Sequence, residues 1–396
     1  MNETKVTNFS KGIVWNGKSG YQGKVSEGGV GCYWGIPYAK PPVGRLRFEF
    51  PEKLEDHTGL YYAFNPGPIS YQYISDKEED WKKPTEAMSE DCLYLNIFTP
   101  AKVEQDRLPV LFWIHGGASI EGRGSDPVLD GSKLAERGIV VVTFNHRLGA
   151  LGFLAHPELT KHSALGISGN YGVMDILMAL EWVCSHIEVF GGDPNHIVMG
   201  GQSAGAGATA YLMMSPLLKV KLKGAILLST SPFTYDGIPY SLEYYEQKGK
   251  AYMDKLGIYS YEELKTVPVG RWVHQEEYMN VGGFSFLRDG YIFNSGLKES
   301  FAEGKYQKVP MILGMTRDES SLGMSPEDTM TEEEYKRRVL DRYGKSDGLK
   351  LLNMYPVKNE KDTVKQYKLM VGGESAVTEI IHTAKALSKY QKDIYL

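Results

Sequence analysis

Five short, unbroken apolar runs constrain this chain more than any other feature: residues 110–114, 139–144, 197–199, 225–228 and 309–313. A strand with one wet face alternates apolar and polar residues, whereas a continuous run is the pattern of a strand covered on both faces. Helix-like segments lie between the runs. In 171–184, Val173, Leu177, Leu180 and Val183 recur at spacings of three or four, which marks one apolar helical face. Residues 206–214 form a second helix candidate. Strand and helix in alternation predict an α/β fold with a central, mostly parallel sheet covered by helices.

The flanks read differently. Tyr, Gly and Pro crowd the first hundred residues, which predicts an N-terminal antiparallel extension with surface loops. The stretch 236–300 is expected to be a helical insertion within a single domain spanning 1–396. Further helices are predicted over 331–343 and 375–391, the latter burying Val377, Ile380, Ile381, Ala384 and Leu387.

Composition removes several function classes. With 42% hydrophobic and 23% charged residues the chain is not dominated by disorder, and its 396 residues can bury a core without metal or disulfide staples. Lys and Arg number 44 against 49 Asp and Glu, a formal charge of −5, so no basic surplus exists to neutralise nucleic-acid phosphates. No apolar stretch approaches the roughly 20 residues that cross a bilayer. Cys32, Cys92 and Cys184 are too few for a disulfide framework. The opening MNETKVTNFSKG lacks the apolar core of a secretory leader, so a cytoplasmic location is expected.

The chemistry concentrates at Gly201-Gln202-Ser203-Ala204-Gly205, which follows the strand 196–199 and precedes the small-residue run 206–210. A tight strand-to-helix turn lifts a serine above the sheet edge, and its glycines let strand and helix approach without a Cβ clash. Ser203 is therefore the candidate nucleophile, against the plainer reading of a capping serine in a Gly-rich turn. After the strand 108–114 comes His115-Gly116-Gly117-Ala118. The N–H groups of Gly116 and Gly117, joined by that of Ala204, would form an oxyanion hole for a tetrahedral intermediate. His115 is read as a structural residue of this loop.

With these motifs the sequence resembles the type-B carboxylesterase and cholinesterase family of α/β-hydrolases, in particular its bacterial carboxylesterases. The resemblance rests on Tyr33-Trp34-Gly35-Ile36-Pro37-Tyr38-Ala39, Pro41-Pro42-Val43-Gly44-Arg45-Leu46-Arg47-Phe48, Glu90-Asp91-Cys92-Leu93-Tyr94-Leu95-Asn96-Ile97, Asn145-His146-Arg147-Leu148-Gly149, Gly152-Phe153-Leu154, Gly169-Asn170-Tyr171-Gly172 and Phe190-Gly191-Gly192-Asp193-Pro194, in that order. It implies a triad acid at Glu319, within Gly314-Met315-Thr316-Arg317-Asp318-Glu319, where the run 309–313 delivers it to the carboxyl edge of the sheet. Asp318 is the competing acid. The residue before the nucleophile, a Glu in many members, is Gln202 here, which argues against a cationic choline ester. Cys92 matches a cysteine that secreted members pair with an earlier one; 60–81 offers no partner, so a buried free thiol is expected. Ser229 matches a serine near the family's triad. It is open whether it bonds the acid or merely ends a strand.

The resemblance implies a carboxylic-ester hydrolase that needs no metal or organic cofactor, takes a small-molecule ester and works through a serine acyl-enzyme. Tyr33, Phe153, Phe284 and Phe286 are candidates to line an apolar cleft. The family's base is a histidine late in the chain, in a His-Gly context. After Glu319 this sequence has only His382, inside the predicted helix 375–391, while His146, His162, His186 and His274 lack a spacing that argues for catalysis. The sequence-based expectation is therefore a chain missing its C-terminal part and impaired for lack of the histidine. It would have a companion C-terminal fragment or form a homo-oligomer through an exposed sheet edge. The alternatives are a non-catalytic interaction protein on an esterase scaffold and one chain of a two-chain esterase.

Overall fold

The computed structural model describes residues 6–74, 83–233, 241–273, 275–316, 319, 329–372 and 378–396. Near the N-terminus β1 (Ile13–Asn16), β2 (Ser19–Gln22) and β5 (Gly59–Tyr62) form a small three-stranded sheet. The main sheet has nine strands. They are β3 (Lys24–Val25), β4 (Gly31–Pro37), β6 (Tyr94–Thr99), β7 (Leu108–Ile114), β8 (Val140–Phe144), β9 (Gly192–Gln202), β10 (Gly224–Leu228), β11 (Met311–Gly314) and β12 (Ile394–Tyr395), in the spatial order β12-β11-β10-β9-β7-β8-β6-β4-β3. Strands β3, β4 and β6 pair antiparallel, and everything from β8 through β7, β9, β10 and β11 to β12 is parallel. The predicted parallel sheet with an antiparallel N-terminal extension is thus present.

The unbroken apolar runs are buried for the reason the pattern implies. All five residues of β8 are inaccessible, and Phe112 of β7 stacks on Phe144 at 4.6 Å between ring centroids. Helix Tyr171–His186 covers one face, with Val173, Leu180 and Val183 in the core. Helix Ala204–Met214 is buried from Gly205 through Met213. An element enclosed on all sides shows no apolar stripe, only small and apolar residues throughout. The register sets the site. Ile114 lies opposite Gly201, Gln202 opposite Leu228, and Leu228 opposite Gly314. Four parallel strands therefore stop together, and the residues after each stop share one edge of the sheet.

Two buried ion pairs tie segments far apart in sequence. Arg147 grips Asp175 through Nη2 to Oδ1 at 2.7 Å and Nε to Oδ2 at 2.8 Å. Arg47 binds Glu90 at 2.6 Å and gives Nη1 to the Val267 carbonyl, also at 2.6 Å. The second contact holds the end of helix Tyr261–Thr266, which lies in sequence between helices Leu242–Leu256 and Gln275–Asn280 within the stretch 236–300. Ser260 and Glu263 cap the middle one reciprocally, a local signal legible in the sequence.

The C-terminal region corrects the sequence reading. Helices Glu332–Met354, Glu360–Gly372 and Glu379–Leu387 are followed by β12, whose Ile394 and Tyr395 lie opposite Met311 and Ile312. Met330, Tyr335, Val339 and Met370 form a core of their own. The expectation of a missing C-terminal part rested on the absence of a His-Gly motif after Glu319, not on the elements themselves. In the sheet a two-residue strand suffices at an edge, where backbone pairing with one neighbour fixes it and short strands are common. The C-terminal helices and the edge strand are thus present up to residue 395, which corrects the expectation that this region is missing. The same region departs in detail: Ile380 and Leu387 are buried as expected, but Ile381 is exposed, and Val377 lies outside the described residues. Among the described residues no helix is long and apolar enough to cross a membrane.

Candidate active site

Ser203 sits between β9 and helix Ala204–Met214 with φ 54° and ψ −123°. A non-glycine residue rarely adopts such a backbone, and it persists only where the surroundings over-determine it. Here the Ser203 N–H donates to the Leu228 carbonyl at 2.8 Å and its carbonyl accepts from Gly207 N–H at 2.9 Å. The flanking glycines are steric necessities. A Cβ on Gly201 would lie 2.6 Å from the Ile114 carbonyl oxygen, and one on Gly205 would lie 2.6 Å from that of His115. Ala204 opens the helix, where the first N–H groups have no intrahelical acceptor and point toward incoming negative charge.

The chain leaving β7 passes beside this turn. A Cβ on Gly116 would stand 3.4 Å from Ser203 Cβ and 2.5 Å from Gln202 Oε1, so the loop lies directly against the nucleophile turn. Gly117 (φ 105°), Ala118 (φ 51°) and Ser119 (φ 61°) follow in left-handed conformations. His115 is buried, its Nδ1 donates to the Gly116 carbonyl at 2.8 Å, and its ring stacks on His146 at 4.7 Å. Burial first, and the neighbouring imidazole second, push the His115 pKa down to about 3; burial pushes that of His146 down to about 4. Both rings are neutral at ordinary pH, and His115 acts by shaping the loop.

Glu319 is held on the neighbouring strand end. Its Oε1 accepts from Ser229 Oγ at 2.6 Å and from Thr316 N–H at 3.0 Å. Burial raises its pKa, but these hydrogen bonds to the carboxylate outweigh it, and the net shift is downward. Leu228 and Ser229 are consecutive, so one strand end bonds the Ser203 backbone and the Glu319 side chain together. Ser229, whose role the sequence left open, thus bonds Glu319. Asp318 and His274 lie outside the described residues. His382 is exposed on helix Glu379–Leu387, His162 stacks on Tyr261, and His186 pairs with Asp56 at 2.9 Å.

A cavity of ≈ 270 Å³ adjoins the turn, bordered by Gly116, Gly117, Gln202, Gln72, Glu121 and Arg123. Of the aromatic residues expected to line a cleft, Tyr33, Phe153 and Phe284 are core residues, and Phe286 borders a small cavity with Ala204, Gly205 and Ala208. Cys92 is fully buried and free, its thiol hydrogen-bonded with Ser70. Gln72 had no signal in the sequence: its partners come from 50 residues away.

A family comparison decides the identity of this arrangement. The pattern of the carboxylesterase family matches residues 6–395. The chain belongs to the carboxylesterase family. It is 33% identical over 378 residues to a fumonisin B1 esterase of Sphingopyxis macrogoltabida, covering 93% of this chain and 68% of that protein. It is 35% identical over 350 residues to a para-nitrobenzyl esterase of Bacillus subtilis, covering 84% and 69%. Among solved structures, a carboxylesterase of Geobacillus stearothermophilus superposes with a TM-score of 0.76 at 31% identity, covering 97% of this chain and 78% of that one. A thermophilic para-nitrobenzyl esterase gives the same TM-score and identity, covering 96% and 77%. This carboxylesterase is accordingly an α/β-hydrolase of the serine-esterase type. The family match runs to residue 395 and the C-terminal helices and β12 are in place up to it, which corrects the expectation of a C-terminal region missing from the fold; the chain spans 68% and 69% of the lengths of the two bacterial relatives. The companion C-terminal fragment and the impaired enzyme were inferred from that missing region and go with it.

Proposed function

We propose that this carboxylesterase hydrolyses small-molecule carboxylic esters through an acyl-enzyme on Ser203. Ser203 Oγ attacks the acyl carbon as its proton passes to a base. The N–H groups of Gly116, Gly117 and Ala204 hold the oxyanion, and the alcohol departs with the proton returned to it. Water then releases the acid by the same steps in reverse roles. Glu319 is the acid that orients the base, kept ionised by Ser229 and Thr316. The observation that carries the reading is the shared strand end, which bonds the strained Ser203 backbone through Leu228 and the Glu319 carboxylate through Ser229. The neutral Gln202 beside the cavity favours uncharged esters over choline esters. The two bacterial relatives, a fumonisin B1 esterase and a para-nitrobenzyl esterase, support ester cleavage as the reaction of this similar chain. Three free cysteines, two of them buried, fit a reducing compartment, and we assign the protein to the cytoplasm on that basis.

The test is turnover of p-nitrophenyl acetate by the parent and by Ser203→Ala, with intact mass after a fluorophosphonate. Loss of kcat on the order of 10⁶-fold is expected, with one adduct on the parent and none on the variant. Parent-like turnover by Ser203→Ala would refute the assignment.

A further inference from the structure

The loop that carries Gly116 and Gly117 is held in a conformation it would not keep by itself. Four of its residues have left-handed φ: Gly117 at 105°, Ala118 at 51°, Ser119 at 61° and Gly122 at 109°. Two of these are not glycine, and such a stretch persists only where surrounding bonds over-determine it. The loop folds back on its own start. A Cβ on Gly122 would lie 2.6 Å from the Gly116 carbonyl oxygen, so whatever fixes Gly122 also fixes Gly116.

Gln72 fixes Gly122. Its Oε1 accepts from Gly122 N–H at 2.8 Å, and its Nε2 donates to the Gly122 carbonyl at 3.0 Å and to the Ser70 carbonyl at 3.1 Å. One buried primary amide thus closes both backbone groups of Gly122, as a neighbouring strand would, and anchors them to the segment at Ser70. Ser70 Oγ in turn accepts from Leu148 N–H at 3.2 Å, and Gly149 N–H donates to the Ser119 carbonyl at 2.7 Å. The clamp is therefore continuous with the other attachment of the loop.

We propose that Gln72 is a positioning residue for catalysis, holding the Gly116 and Gly117 N–H groups where the oxyanion forms. This rests on the oxyanion assignment made above. Donors of this kind act by being in place before charge develops, so loosening them weakens transition-state binding more than ground-state binding. A residue that only supported the fold would lower the folded fraction and leave that ratio unchanged.

The experiment compares the parent, Gln72→Met and Gln72→Glu. Met fills the same volume with no hydrogen bonds, and Glu keeps the acceptor for Gly122 N–H but loses the donor. The readouts are kcat and KM with p-nitrophenyl acetate, affinity for an aryl trifluoromethyl ketone, and amide exchange of the peptide spanning 116–122. For Gln72→Met, kcat and ketone affinity should each fall ~10–100-fold with KM within about two-fold, and exchange should rise in 116–122 alone. Gln72→Glu should fall between, and it carries the test if the Met variant does not fold. Unchanged kcat, ketone affinity and loop exchange would overturn the proposal, as would equal losses in every readout that track the folded fraction. Ser203→Ala runs alongside. If it retains turnover, the site assignment fails and loop exchange alone judges the clamp. If it is dead while the Gln72 variants match the parent, only the clamp fails.

Discussion

Gly205→Ala isolates the contact that makes the nucleophile turn possible. Gly205 has no left-handed φ, so an added methyl brings no backbone strain of its own. It meets only crowding, from the Ile114 and His115 carbonyls at the end of β7. The His115 oxygen would be 2.6 Å from the new Cβ and the Ile114 oxygen closer still, whereas ordinary contact begins at 3.4 Å, so the helix must move by at least 3.4 minus 2.6, about 0.8 Å. Both neighbours are backbone atoms inside a sheet and cannot swing aside. Overpacking of this kind costs about 1–3 kcal/mol. A displacement near 1 Å at a reacting group costs on the order of 10²-fold in rate. The helix carries Ala204, and Ser203 is its N-cap, so both effects are expected together. The assay is urea denaturation beside the rate of fluorophosphonate labelling and kcat with p-nitrophenyl acetate. Gly270→Ala is the control, since nothing lies within 4 Å of its Cβ and its φ is ordinary; it should change stability by less than about 1 kcal/mol. A Gly205→Ala protein within about 0.5 kcal/mol of the parent and labelled at the parent rate would refute the close approach of helix and β7.

Two further outcomes follow from hydrogen bonds and burial. Ser229→Ala removes the first of the hydrogen bonds that hold the Glu319 carboxyl below its ordinary 4.5, so the acid limb of the kcat/KM profile should move to higher pH, with kcat reduced about 3–10-fold; an unmoved limb would separate Glu319 from the reaction. His115 and His146 have folded pKa values depressed to about 3 and about 4 from 6.5, so the stability they contribute is fully present above pH 6.5 and is lost as pH falls from there through the folded values. Unfolding free energy should therefore decline between pH 6.5 and 4, and His146→Asn should flatten that decline in urea titrations at fixed ionic strength.

The parts of the site that the sequence disclosed are those set by local sterics. Gly201 and Gly205 flank a serine whose turn leaves no room for Cβ atoms, and that requirement is written within five residues. The apolar runs disclosed the strands for the same reason, because burial on both faces excludes polar residues from the run itself. Strand ends were less legible: β9 begins at Gly192, not at 196, because Gly192 pairs with Leu108 of β7, and Asp193, Pro194 and Asn195 carry no strand signal. Helix Glu360–Gly372 escaped notice because its stability comes from a small cluster around Met330, Val339 and Met370 rather than from a strong apolar stripe.

Sequence alone pointed to the α/β fold with its mostly parallel sheet, to the family and to the tight turn at Ser203, since each rests on short-range spacing of residue types. Tertiary structure alone decided that Ser203 and Glu319 share the strand end Leu228–Ser229, that Gln72 grips Gly122, and that a two-residue strand at Ile394–Tyr395 pairs with β11 at the edge of the sheet. These depend on groups brought together across 25 to 90 residues, and most of them have a backbone N–H or carbonyl on at least one side. A backbone N–H or carbonyl is the same in every non-proline residue, so no side-chain pattern records which partner it will find.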